Sequence, residues 1–155
     1  MISLLGILPL IVSLGQETTA PVDLSDRQLL TPAEKSLLER ETHIDGRIRI
    51  YESASLRFQR SIQVATKQEE IEGFLEDLES WVKLLSVSRE DIESNVNRKK
   101  KSRALIRYEI QVRKTAGDLQ DARPNIPLES QAEFDSYLGR AEVVRKTFVD
   151  ILFQR

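Results

Sequence analysis

The amino-acid sequence predicts an all-α protein of about four antiparallel helices. Apolar residues recur every three or four positions along most of the chain, helix-capping patterns precede these stretches, and no stretch shows the alternation typical of a β-strand. The predicted connections are short, so consecutive helices should run antiparallel. The pattern leaves open whether the helices close into a bundle or form a short array of helical hairpins.

The composition is that of a folded protein without disulfide bonds. The chain has 155 residues, with 23 Lys and Arg against 25 Asp and Glu, and it has no cysteine. This length predicts one domain. The formal net charge of −2 provides no overall attraction to nucleic acid or to an anionic membrane. Without cysteine, neither a disulfide framework nor a thiolate metal site can form.

The N-terminal segment differs from the rest of the chain. Residues 1–15 contain no charged side chain. Ile2–Leu14 is an apolar stretch of thirteen residues, shorter than the roughly 20 residues that span a bilayer. Ser13 and Gly15 are small residues at the positions that favour cleavage before Gln16. We therefore expect a secretory signal peptide and an exported protein, periplasmic or extracellular. An uncleaved N-terminal membrane anchor and a buried first helix are the alternatives.

A flexible lead-in, residues 16–30, is predicted to precede a single helical domain, residues 31–155. Thr31, with proline next and glutamate three positions later, forms a capping box. The apolar stripe that follows predicts a first helix of about 35 residues, to Ala65. A second capping pattern begins at Thr66, where the stripe changes phase, so a break there is favoured over a continuous helix.

Later capping residues and prolines divide the second half of the domain. Ser88 is the expected cap of a third helix, after a turn near Val87, and Ser130 is the expected cap of the last helix. Pro124 and Pro127 indicate a loop between the third helix and the last helix. The large aromatic side chains of Trp81 and Phe148 lie on or beside apolar stripes, and we expect both in the core.

The segment Leu30-Thr31-Pro32-Ala33-Glu34 resembles the Leu-Thr-x-x-Gln motif of small periplasmic helical chaperones of the Spy/CpxP type. Glu34 stands where that motif has glutamine, and the motif occurs once in this chain. The resemblance implies a holdase-type chaperone with an exposed, concave apolar face. No functional residue is carried over from it.

Motifs for catalysis and for cofactor binding are missing from the sequence. His43 is the only histidine, so the paired Glu-x-x-His motifs of a di-metal bundle cannot form. The chain has no Gly-x-Ser-x-Gly elbow and no glycine-rich phosphate loop. We therefore expect a non-catalytic protein without a metal or cofactor.

A basic segment is the main candidate for a binding site. Residues 98–114 contain eight basic residues and one acidic residue, whereas residues 67–93 contain nine acidic and three basic residues. The candidate partner-binding or anion-binding residues are Arg98, Lys99, Lys100, Lys101, Arg103 and Arg107.

Two interpretations of this segment remain open. A turn near Val87 would place Arg98 opposite Glu76 and Ser102 opposite Glu72, so that the basic and acidic segments pair within the chain. This internal pairing is favoured. In the second interpretation, the basic helix binds an anionic partner.

The sequence favours a non-catalytic exported helical protein that acts as a protein-interaction or scaffolding module, with another protein as its partner. One alternative is a peripheral binder of anionic envelope surfaces through the basic helix 98–114. The other alternative is a periplasmic holdase-type chaperone. Nucleic acid is not an expected partner, because an exported protein does not meet it.

Export is directly testable. N-terminal sequencing of the protein made in its native host should give Gln16 as the first residue, because the signal peptidase removes residues 1–15. A cytoplasmic product that still begins at Met1 would contradict the prediction. A membrane-bound product that keeps Met1 would favour the anchor.

Overall fold

Residues 28–154 fold into five α-helices. In the computed structural model, which describes these residues, the helices are α1 (Pro32–Arg40), α2 (Ile44–Gln68), α3 (Ile71–Asn95), α4 (Arg103–Ala122) and α5 (Leu128–Phe153). No strand occurs in this range, so the all-α prediction is confirmed. The expected signal peptide, residues 1–15, lies outside the described residues, as does the lead-in up to residue 27.

The four long helices form a closed bundle of two antiparallel hairpins. In these hairpins α2 packs against α3 and α4 against α5, while α2 also lies beside α4 and α3 beside α5. The hydroxyl of Ser102, just before α4, donates to Asp45 at the start of α2. Phe74 stacks on Phe134 near the starts of α3 and α5, with ring centroids 6.0 Å apart. The neighbours α2 and α4 therefore run parallel, as do α3 and α5.

The capping box at the start of α1 is confirmed. The Thr31 hydroxyl accepts the Glu34 backbone N–H at 3.1 Å, and the Glu34 carboxylate accepts the Thr31 N–H at 2.7 Å. Glu34 also lies 2.9 Å from the guanidinium of Arg57, in the middle of α2. α1 therefore folds back along α2, and Leu30, in the last part of the predicted lead-in, is buried in the core.

The prediction of one long first helix is wrong, because the helix ends at Arg40 and a new one begins at Ile44. The guanidinium of Arg47 donates to the backbone oxygens of Leu38 at 2.8 Å and of Glu41 at 3.4 Å. Carbonyl groups at the end of a helix have no partner within it. Arg47 supplies those partners, so the helix ends without a glycine or proline.

The predicted break near Thr66 is confirmed, and it falls a few residues later. α2 ends at Gln68, and Glu69 adopts the left-handed conformation with φ 57°. The Glu69 N–H donates to the carbonyl oxygen of Thr66 at 3.4 Å. This conformation is uncommon for a residue other than glycine, and it turns the chain directly into α3.

The predicted turn near Val87 is wrong, because α3 continues to Asn95. The Ser88 hydroxyl donates to the carbonyl oxygen of Leu85 in its own helix at 2.8 Å. A serine that bonds backward in this way remains inside the helix and does not cap a new one. The cap of the following helix is Ser102, whose hydroxyl accepts the Leu105 N–H at 3.0 Å.

A partly buried network holds α2 and α3 together near the start of α2. One carboxylate oxygen of Asp91 accepts hydrogen bonds from the Arg47 guanidinium at 2.8 Å and from the Tyr51 hydroxyl at 2.7 Å. Burial, helped by the hydrogen bond to Asp91, raises the pKa of the Tyr51 hydroxyl well above its ordinary 10.0. Tyr51 therefore remains a proton donor across the physiological pH range.

The core is rich in aromatic side chains. Trp81 and Phe148 are fully buried, which confirms their predicted place in the core. The indole N–H of Trp81 donates to the Ser55 hydroxyl at 2.8 Å, so burial leaves no donor unpaired. Tyr108 packs against Phe148 with ring centroids 5.3 Å apart, and its hydroxyl lies 3.0 Å from the Ser88 hydroxyl. This last contact joins α3 and α4 across the bundle.

Replacement of Trp81 by alanine should lower the free energy of unfolding by about 3–5 kcal/mol, because the change leaves a large cavity. It would also leave the Ser55 hydroxyl without its partner. Denaturant-induced unfolding measures the loss. The control is Leu128→Ala, since the Leu128 side chain is 82% exposed; it should change stability by less than about 0.5 kcal/mol. Equal effects of the two substitutions would contradict the prediction.

Candidate functional site

Four adjacent cations lie in the connection between α3 and α4. We call Arg98, Lys99, Lys100 and Lys101 the basic loop; all four are exposed. The side-chain oxygen of Asn97 accepts the Lys99 N–H at 3.0 Å and shapes the turn. The predicted basic helix 98–114 is therefore wrong in its first part. Residues 98–102 form a loop, and α4 begins at Arg103.

Two further candidate residues lie on α4, and they differ in their surroundings. Arg103 is the first residue of α4 and is exposed beside the basic loop. Arg107, one turn later, lies 2.7 Å from the carboxylate of Glu52 on α2. The hydrogen bond from Arg107 to Glu52 raises the pKa of the guanidinium above its ordinary value. Arg107 therefore joins two helices, whereas Arg103 belongs with the loop.

The predicted pairing between the basic and acidic segments is wrong. Because α3 does not turn near Val87, Glu76 lies about 29 Å along the helix from Asn95, at 1.5 Å per residue. Arg98 instead donates to the side-chain oxygen of Gln154 at 2.8 Å. Among residues 28–154, no carboxylate oxygen lies within 4.0 Å of a basic-loop nitrogen.

The basic loop and the end of α5 enclose a cleft of about 620 Å³. We call this the basic cleft; it is lined by Arg98, Lys99, Lys101, Leu152, Phe153 and Gln154. The ammonium group of Lys101 lies 5.5 Å from the centroid of the Phe153 ring. The Phe153 side chain is 69% exposed, so the cleft offers cations and an accessible aromatic ring together.

The α5 residues of this cleft were not predicted from the sequence. One signal was available: Phe153 lies two positions after Ile151, which is buried in the core. A shift of two positions rotates a side chain by about 200° around a helix, so an exposed ring could have been expected. Its position beside the basic loop depends on the packing of α3 against α5, which the pattern did not indicate.

Several acidic groups near this end of the bundle already have partners within the protein. Asp45 accepts a hydrogen bond from Ser102, and Asp91 lies 2.7 Å from the guanidinium of Arg47. The C-termini of α3 and α5 also point to this end, and helix C-termini carry partial negative charge that favours nearby cations. Asp45 keeps its charge, because its donor Ser102 is neutral, but it lies more than 4.0 Å from every basic-loop nitrogen.

The other surfaces of residues 28–154 gather side chains of one chemical kind less than the basic cleft does. A groove of about 360 Å³ between α2 and α4 mixes apolar Leu56, Ile62 and Leu119 with charged Lys67 and Asp118. Large apolar side chains with substantial exposure are distributed over all five helices. Such scattered exposure is ordinary for a folded protein, so no observation favours the concave apolar face of a holdase.

Within residues 28–154, no cluster of three or more metal-ligating side chains occurs. No helix in this part of the chain is both long and apolar enough to cross a membrane. Comparisons with protein-family models, curated proteins and solved structures give no match to this chain. Its fold and candidate site define an all-α bundle with a basic cleft at one end.

Reversal of the loop charges by Lys99→Glu, Lys100→Glu and Lys101→Glu should leave the melting temperature nearly unchanged, because these side chains are exposed and lack carboxylate partners. The matched positive control is Arg145→Glu. Arg145 is partly buried and lies 3.2 Å from Glu109 and 2.9 Å from Glu142, so this change should lower the melting temperature clearly.

Substitutions in the acidic segment, residues 67–93, also test whether it pairs with the basic loop. Substitution of Glu70, Glu72 and Glu76 by lysine should not alter the effect of the loop reversal, since distant sites behave additively. A destabilised loop variant that is rescued by the second reversal would restore the internal-pairing interpretation.

Proposed function

We propose that this protein is a non-catalytic, exported helical module that binds an anionic partner through its basic end. The basic end comprises the basic loop, Arg103 and the basic cleft. One observation carries the proposal: four consecutive exposed cations without carboxylate partners among the described residues lie beside an exposed aromatic ring.

The stability of the fold does not account for this cluster. Exposed charges of the same sign repel one another, and salt screens that repulsion without removing it. The nearby C-termini of α3 and α5 offset part of the cost, since each favours a cation within the last turn by about 0.3–1 kcal/mol. The N-termini of α2 and α4 lie at the same end and carry partial positive charge that opposes this gain. The helix ends therefore do not account for four cations, and an anionic partner would offset their repulsion.

The rest of the bundle supports a role for this end as a binding surface. The core is closed and aromatic, and the ion pairs at Arg47, Arg107 and Arg145 each join two helices. Those three arginines serve the fold, so substitutions in the basic loop can change binding without unfolding the bundle. A scaffold with a rigid body and one charged end suits a protein-interaction or scaffolding module.

Site-specific photo-cross-linking in the native host tests this function. A photoreactive residue at Lys100 should yield an adduct with a protein or with a lipid, whereas one at Lys67, which is exposed near the opposite end of α2, should not. Added charge reversal at Lys99 and Lys101 should abolish the adduct. The same adducts at both positions, or an adduct that survives charge reversal, would refute binding through the basic end.

A further inference from the structure

We propose that the anionic partner of the basic end is a lipid bilayer, with a phosphate headgroup seated in the basic cleft and Phe153 inserted among the headgroups. This inference rests on the proposed function and names the partner of the same site. It joins two features from distant parts of the chain: the cations between α3 and α4, and the apolar residues at the end of α5.

The charge of the loop suits a bilayer surface. Each Lys or Arg near an anionic membrane strengthens binding by about fivefold. The basic loop and Arg103 place five cations at one end of the molecule, all exposed. Lysine side chains are long and mobile, so they can follow fluid headgroups without a fixed geometry.

The Phe153 ring supplies exposed apolar surface, which the cations alone do not provide. Phe153 is 69% exposed and Leu152, beside it, is only partly buried. Both residues line the basic cleft, and the Phe153 ring lies 5.5 Å from the Lys101 ammonium group. Apolar side chains flanked by cations are typical of surfaces that rest at the headgroup boundary, where the ring enters the bilayer and the ammonium groups remain with the phosphates.

The basic cleft is large enough to admit a phosphate headgroup. Three cationic side chains line it from the loop, and Gln154 closes it from α5. The hydrogen bond between Arg98 and Gln154 holds the guanidinium at the rim at 2.8 Å. A guanidinium can donate two parallel hydrogen bonds to a phosphate, so Arg98 is the residue best placed to hold the headgroup.

The same surface is less suited to an acidic protein. Specific protein interfaces place rigid aromatic and arginine anchors at a packed centre and deplete lysine. The basic loop has three lysines and a single arginine, and Phe153 stands at its edge. We therefore favour the bilayer, and an acidic protein becomes an alternative outcome of the test.

Vesicle co-sedimentation of the full chain tests the inference. Vesicles that contain phosphatidylglycerol together with phosphatidylcholine should bind the protein more tightly than vesicles of phosphatidylcholine alone, and added salt should reduce the difference. The apolar segment at residues 1–15, if retained, would favour both kinds of vesicle alike. The difference between the two kinds therefore isolates the basic end.

Two variants and two matched controls separate charge from insertion. Neutralisation by Lys99→Gln, Lys100→Gln and Lys101→Gln should weaken binding on the order of a hundredfold. Phe153→Ala should weaken it about tenfold, because less apolar surface is buried. The controls are Lys67→Gln, Lys114→Gln and Arg140→Gln together, and Leu128→Ala on the same helix as Phe153. These controls alter exposed residues away from the cleft and should have little effect.

The possible failures have different meanings. The protein could instead bind a polyglutamate peptide and not vesicles, with binding lost on loop neutralisation and unchanged by Phe153→Ala. That result would overturn the bilayer proposal and leave the proposed function intact. Binding of inorganic phosphate with no gain from a bilayer would also overturn it. Absence of salt-sensitive binding to vesicles, peptide and phosphate alike, with unchanged circular dichroism, would overturn both proposals.

Discussion

The carboxylate of Asp91 determines how three helices of this protein meet. It accepts hydrogen bonds from Arg47 and Tyr51 on α2, and its other oxygen accepts one from Asn95 at the end of α3. Arg47 in turn donates to the backbone at the end of α1. A partly buried charged group such as Asp91 is stabilised when its oxygens are hydrogen-bonded. Because Asp91 follows Ser88 in α3, the network requires α3 to extend past the serine that the sequence suggests as a cap. The network also ends α1, since Arg47 binds the carbonyl groups there.

The length of α3 has consequences for the whole molecule. Because α3 continues to Asn95, the connection to α4 leaves from the end of the bundle and crosses it diagonally, and α5 packs parallel to α3. Parallel neighbours bring their C-termini to the same end. The basic loop after α3 thus meets Phe153 at the end of α5, and two helix ends with partial negative charge lie close to the cations.

The bundle divides its charged residues between two roles. Arg47, Arg107 and Arg145 are paired with carboxylates on other helices, and they hold the helices in register. The basic loop has no such pairs among residues 28–154. The first group adds to the register of a bundle that its apolar core keeps compact, and the second supports the proposal that the free end binds an anionic surface. Composition alone does not separate these groups, since all are basic residues in a nearly neutral protein.

The sequence by itself determined the all-α class, the capping box at Thr31, the break after α2 and the burial of Trp81 and Phe148. These features depend on local periodicity and on caps within a few residues, which sequence patterns record directly. Only the tertiary structure decided that α1 ends at Arg40, that α3 runs through Ser88 and that Arg98 meets Gln154 and not Glu76. Those outcomes depend on partners 9 to 56 residues away in the chain. Tertiary contacts outweighed local capping preferences, because a cap contributes only about 1 kcal/mol and several hydrogen bonds that support one another contribute more.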